Sequence, residues 1–244
     1  MNQESHQEEN WVAEIAEAML SGFAWGRVAK EQDGPVRNVS NLSGGLPLAA
    51  FKDVRPVFSG GETGLGLLKE VDQYIDDFPD IEDLREYMID LAVLRMLSEG
   101  GEAFLESPEW ARVEEETEER GSELLNLLVY LRDCQDMKVM PSLEDFLNEF
   151  LLVDEDDFQE EFFIYEEIIR NQSLIEGTLK QIIQTGNNQR NETMAELFTP
   201  MMLFFREIEP EPGKLTIGIL NQSRLPELHA GLYRALCRFW FMGV

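Results

Sequence analysis

The sequence predicts a mainly α, multi-helix globular bundle with at most a minor β element near 214–220. Three observations lead there. Apolar residues recur at three- and four-residue spacing along most of the chain. Helix start and stop signals punctuate those stretches. The composition, 43% hydrophobic and 10% aromatic, is richer in core-forming side chains than a disordered acidic chain. The 244 residues are expected to form one helical domain, with a subdivision at 1–61, 62–167 and 168–244 where the charge changes.

Trp11, Ile15, Met19 and Phe23 recur at i+4, with Val12, Ala16 and Leu20 beside them, and predict a first helix over about 10–25. Residues 33–66 are rich in glycine and proline, among them Gly34, Pro35, Gly44, Gly45, Pro47 and Pro56. They predict a long irregular segment with a short extended piece at 54–58. Leu68, Val71, Ile75 and Phe78 mark the next helix, which Pro79 stops. Asp80 then reads as an N-cap, with Asp83 three residues on. Ile81, Leu84, Met88, Leu91 and Leu94 carry that helix to Ser98, and Gly100 and Gly101 end it.

Ser107 before Pro108 is a start signal for a long helix over about 108–135, apolar at Trp110, Val113, Leu124, Leu128 and Leu131. Its middle, 114–120, is almost wholly charged and forms a solvated face or a separate turn near Gly121. Further helices are expected after Pro141 (Phe146, Leu147, Phe150, Leu151), over the stripe Phe158, Phe162, Tyr165 and Ile169, through Leu174, Leu179, Ile182 and Ile183, and at 200–208. The run at 214–220, KLTIGIL, is the one strand-like stretch. Leu228, Leu232, Leu236 and Trp240 define a last helix over 225–242. The core is expected to draw on Trp11, Ile15, Phe23, Leu68, Ile75, Leu84, Leu91, Leu128, Phe146, Phe150, Phe162, Ile169, Leu232 and Trp240.

The net charge of -28 is concentrated. Residues 62–167 hold 33 Asp and Glu against 7 Lys and Arg; residues 1–61 hold 8 against 5, and 168–244 hold 7 against 8. An acidic middle between near-neutral flanks disfavours direct nucleic-acid binding, which needs clustered Lys and Arg. No stretch has the apolar length of a membrane span. The start of the chain, polar and acidic, lacks the features of a secretory signal. Two cysteines, Cys134 and Cys237, are too few for a disulfide framework and read as free thiols. A cytoplasmic protein is expected.

Acidic motifs must occur by chance in such a chain, so each needs a second feature. Asp76, Asp77 and Asp80 spell DDxxD, a pattern that holds Mg²⁺ against a diphosphate when its carboxylates converge, but Pro79 breaks the helix inside it. Glu115, Glu116 and Glu119 spell EExxE, a pattern that holds Mg²⁺ when a second acidic pair faces it, and Asp133 with Asp136 can be cast as that pair. Neither His6 nor His229 stands in a zinc-hydrolase or di-iron pattern. The glycines Gly61, Gly64 and Gly66 precede a helix but lack a phosphate-loop lysine, and Glu62 places negative charge where a phosphate would go. His229 reads as a core or boundary residue. No cofactor and no metal is expected.

The expected function is therefore a non-enzymatic acidic interaction protein, such as an adaptor, inhibitor or immunity protein, chaperone or assembly subunit, that binds a basic protein partner or a larger protein assembly. The partner-binding residues would be Glu114, Glu115, Glu116, Glu118 and Glu119, together with Asp154, Asp156, Asp157, Glu160 and Glu161. Phe239, Trp240 and Phe241 join them, because with Met242 they form four consecutive apolar residues that one helical face cannot hide. Packing wholly within the chain is the alternative for this group. Two other readings compete. One is an all-helical Mg²⁺-dependent enzyme acting on a diphosphate or nucleotide through helix-borne carboxylates. The other is a nucleic-acid mimic whose carboxylates copy phosphate spacing.

Overall fold

The structure is a computed structural model that describes residues 11–43, 53–118, 120–142, 145–146 and 208–242. The mainly α expectation holds: these residues form nine α-helices and one 3-10 turn, with no strand among them. The helices are α1 (Trp11–Glu31), α2 (Ser40–Ser43), α3 (Arg55–Ser59), α4 (Gly64–Asp77), α5 (Arg85–Leu105), α6 (Pro108–Thr117), α7 (Glu123–Met137), α8 (Lys214–Gln222) and α9 (Pro226–Met242), and the 3-10 turn is Pro79–Leu84.

Two helical assemblies make the core. The first is the pair α1 and α9. Gly22 and Gly26 leave α1 without side chains where α9 crosses it. A Cβ on Gly22 would run into the backbone of Ala230, and one on Gly26 into the backbone of Pro226 and Glu227. The helices run antiparallel, because Glu14 pairs with Arg238 at one end and Lys30 with Glu227 at the other. The Trp11 and Phe239 rings meet at 5.9 Å beside the first of these pairs.

The second assembly is built around α5, whose residues 87–96 are buried without a break. A helix that is buried on all sides is the centre of a core; α4, α7 and α1 pack on it. Its two buried polar residues are tied to neighbours. Arg95 donates to the carbonyl of Gly60 at 2.7 Å and to Glu99 at 2.9 Å, which pins the turn before α4. Asp90 caps α7, as described below.

Several expected boundaries move, and the short extended piece expected at 54–58 is instead helix α3, with Phe58 buried in the core. Asp80 is not an N-cap: residues 79–84 form a 3-10 turn in which Ile81 leaves helical geometry (φ -111°, ψ 18°), and α5 starts at Arg85. Asp80 instead pairs with Arg27 at 3.2 Å. Gly101, at φ 60° and ψ -179°, breaks α5 where a stop was expected, and a last turn follows it to Leu105. Ser107 caps α6, accepting from the Trp110 N–H at 3.1 Å. Of the two readings of the charged middle of 108–135, the separate turn near Gly121 holds: α6 ends at Thr117, and Ser122 starts α7 by accepting from the Leu124 N–H at 3.2 Å.

The strand-like run at 214–220 is helix α8. The cause lies upstream. The Glu209 carboxylate accepts from the N–H groups of Gly213 (2.9 Å), Leu215 (3.3 Å) and Thr216 (2.8 Å), and from the Thr216 hydroxyl (2.8 Å). One side chain thus satisfies the N–H groups of Leu215 and Thr216 in the first turn and that of Gly213 before it. Thr216, Ile219 and Leu220 then face the core at helical spacing.

Of the expected core residues, Ile15, Phe23, Leu68, Ile75, Leu84, Leu91, Leu128, Phe146 and Leu232 are buried, while Trp11 and Trp240 are half-buried against the core. Phe150, Phe162 and Ile169, with the helices expected over 147–207, lie outside the described residues.

Candidate functional site

The acidic region reaches solvent along α6 and the turn after it. Val113 is the buried anchor of α6. With that residue facing in, Glu114, Glu115, Glu116 and Glu118 all stand exposed. Among the described residues Glu116 has a partner, Arg120 at 3.0 Å, whereas Glu114, Glu115 and Glu118 form no ion pair. Glu119, Asp154, Asp156, Asp157, Glu160 and Glu161 lie outside the described residues.

Three arginines of this region, Arg85, Arg95 and Arg120, are bound to its own carboxylates, while Lys69, Arg112 and Lys138 stand exposed without ion pairs among the described residues. Arg85, the first residue of α5, donates to Glu82 (2.8 Å), Asp72 (2.7 Å) and Asp76 (2.6 Å). These hydrogen bonds, that to Glu82 foremost, push the guanidinium's pKa up, and the same contact holds the Glu82 carboxyl below the ordinary carboxylate range. Arg120 shares Asp72 at 2.6 Å. One carboxylate on α4 thus joins the start of α5 to the α6–α7 turn. Arg95 is buried, and Arg132 donates to the Ser98 hydroxyl at 2.9 Å. Arg85, Arg95 and Arg120 therefore neutralise acids within the fold, and on α6 and the turn after it the one exposed base, Arg112, stands against the exposed Glu114, Glu115, Glu116 and Glu118, a net negative surface.

Beside this network lies a groove of about 570 Å³ between the start of α5 and the start of α9. Tyr87 and Ile89 line it from α5, and Leu225 and Leu228 from the α9 side. Lys30, Arg85 and Arg120 reach it, as do Glu82, Asp83, Glu86 and Glu227.

The buried titratable groups serve packing. Asp90, 1% exposed, accepts from the Ser122 N–H (3.0 Å), the Ser122 hydroxyl (2.5 Å) and the Leu125 N–H (3.1 Å). Burial pushes its carboxyl up to about 7, against the pull of those donors. His229 is buried, with its Nδ1 at 2.6 Å from the Ser223 hydroxyl, and burial takes its imidazole down to about 4. Ser223 also accepts from the Leu225 N–H at 3.0 Å, so the pair organises the turn between α8 and α9. Burial likewise pushes up the Tyr233 hydroxyl and the Cys237 thiol, which keeps both protonated and unreactive near neutral pH.

The DDxxD carboxylates are divided among different neighbours: Asp76 binds Arg85, Asp77 accepts from Gln73 at 3.0 Å, and Asp80 binds Arg27. Among the described residues no group of three metal-ligating side chains forms. At the start of α4, the carboxylates of Glu109 and Glu62 occupy the space in front of Gly64 and Gly66, where a phosphate would need to approach. At the C-terminus Phe239 is buried, while Trp240, Phe241 and Met242 are half-buried; Trp240 and Met242 pack against the core. The helix buries part of the apolar run and leaves none of its large side chains fully exposed.

Sequence reasoning missed the capping carboxylates, the Arg85–Asp72–Arg120 bridge and the groove. Asp90 carried a signal, as a lone acid in the apolar run YMIDLAVL; the groove carried none, because its walls come from distant parts of the chain. Among the described residues no helix is long and apolar enough to cross a membrane. Comparison with protein-family models, curated proteins and solved structures finds no match.

Proposed function

We propose that this protein is a non-enzymatic interaction protein, an adaptor, inhibitor or assembly subunit, whose acidic face captures a basic protein partner. One observation carries the reading. Glu114, Glu115 and Glu118 stand exposed and without ion pairs among the described residues, while Arg85, Arg95 and Arg120 of the same region are already bound to carboxylates. Arg112 is the one exposed base among these acids, so the face presents a net negative field outward, and such fields steer encounter with partners of opposite sign. The same field repels nucleic-acid phosphates. Buried free thiols at Cys134 and Cys237 suit a reducing, cytoplasmic setting.

Affinity capture from the native host at low salt tests this. Wild type and a variant carrying Glu114→Gln, Glu115→Gln, Glu116→Gln and Glu118→Gln serve as paired baits. The expected result is a basic protein retained by wild type, released by salt and missing from the variant. Identical captured sets would remove α6 from the binding surface.

A further inference from the structure

We propose that the groove between α5 and α9 receives a basic segment of that partner protein, with one large apolar side chain seated against Leu225 and Leu228 and a lysine or arginine beside it reaching Asp83 and Glu86. The proposal rests on the acidic-face reading and narrows it to one docking point. Its shape argument is that the groove, at about 570 Å³, falls within the range of ordinary ligand-binding clefts. Its apolar contact surface is that of Leu225 and the half-buried Leu228, with the buried Tyr87 and Ile89 packed beneath. Leu225 is 44% exposed at its edge, one of few large apolar side chains so placed among the described residues.

Charge complementarity selects the occupant. Each cation lining the groove is already held by carboxylates. Lys30 pairs with Glu227 at 2.9 Å, Arg85 with Glu82, Asp72 and Asp76, and Arg120 with Asp72 and Glu116. Lys30 keeps donors free, but the lining sets three bases against four acids, Glu82, Asp83, Glu86 and Glu227, so the balance of charge favours a cation over an anion. Asp83 and Glu86 form no ion pair among the described residues, so an arriving cation finds carboxylates ready. A purely basic segment would leave Leu225 in water. An apolar anchor with a charged flank satisfies both halves of the groove, the pattern by which a few buried residues dominate protein interfaces.

Fluorescence anisotropy with two labelled probes of equal charge tests the assignment at low salt: a short peptide alternating leucine and lysine, and an oligolysine. Leu225→Ser is expected to weaken the leucine–lysine peptide about tenfold and to leave oligolysine unchanged. Asp83→Asn with Glu86→Gln is expected to weaken both. Circular dichroism establishes that each variant is folded. If oligolysine binds but Leu225→Ser changes neither probe, the groove assignment is overturned and the acidic-face reading survives. If neither probe binds wild type, both fall. Displacement of the leucine–lysine peptide by equimolar spermidine would assign the groove to a small polycation and overturn the peptide proposal.

Discussion

Replacing Asp90 with Asn should shift the stability difference in favour of Asn as pH rises. Two effects compete at this carboxyl. Three donors and the N-terminus of α7 favour the anion, while burial at 1% exposure disfavours it. Burial prevails, and the pKa rises from 3.8 to about 7. Between those values the folded state binds a proton that the unfolded state has lost. This contribution to stability is therefore full below about pH 4 and disappears as pH rises through about 7, a change of ~4 kcal/mol. His229 acts with the opposite sign. Its pKa falls from 6.5 to about 4, so its contribution is present above about pH 6.5 and is lost as pH drops through 4, by ~3 kcal/mol. The two largely cancel in a wild-type pH profile. The difference between wild type and Asp90→Asn removes His229 and the general charge repulsion together. Urea unfolding followed by circular dichroism, from about pH 4 to about pH 8, measures it. The midpoint gap should widen across that range by more than about 1 M in favour of Asn. A constant gap would mean that the donors on Ser122 and Leu125 balance desolvation, and one that widens in favour of Asp that they outweigh it; either result refutes the reasoning.

Gly22→Ala should destabilise by ~1–3 kcal/mol despite the better helix propensity of alanine, because the new Cβ meets the Ala230 carbonyl. Gly61→Ala, with open space around it, should stay within ~0.5 kcal/mol and serve as the control. Phe239→Ala should cost ~3–5 kcal/mol, and deleting residues 239–244 should abolish the cooperative thermal transition. A well-folded monomer that has lost only association would instead make the C-terminal aromatics an interface.

The sequence made legible whatever depends on local periodicity. The stripes on α1 and α9 located those helices, and five acids in six residues at 114–119 left no way to bury that turn of α6. Features that depend on distant residues were not legible. The start of α5 lies at Arg85 rather than Asp80: Ile81 leaves helical geometry inside the 3-10 turn that Pro79 opens, and Asp80 pairs with Arg27 of α1 instead of capping. The β-branched character of Thr216, Ile217 and Ile219 pointed to a strand, yet Glu209 caps the segment as a helix. The groove joins residue 30, residues 82–89, residue 120 and residues 225–228, which no linear motif brings together.

The central claim is that the exposed glutamates of α6 steer a basic partner. Its most direct test is the association rate with the captured partner as a function of ionic strength, by stopped flow, for wild type and the variant with Gln at positions 114, 115, 116 and 118. The screening length contracts from about 10 Å at 0.1 M salt to about 3 Å at 1 M. The wild-type rate should therefore fall steeply over that range, and the variant should start lower and fall less, with its stability within ~0.5 kcal/mol of wild type. Equal rates and equal salt slopes for the two proteins would contradict the account and leave the α6 glutamates as a solubilising surface.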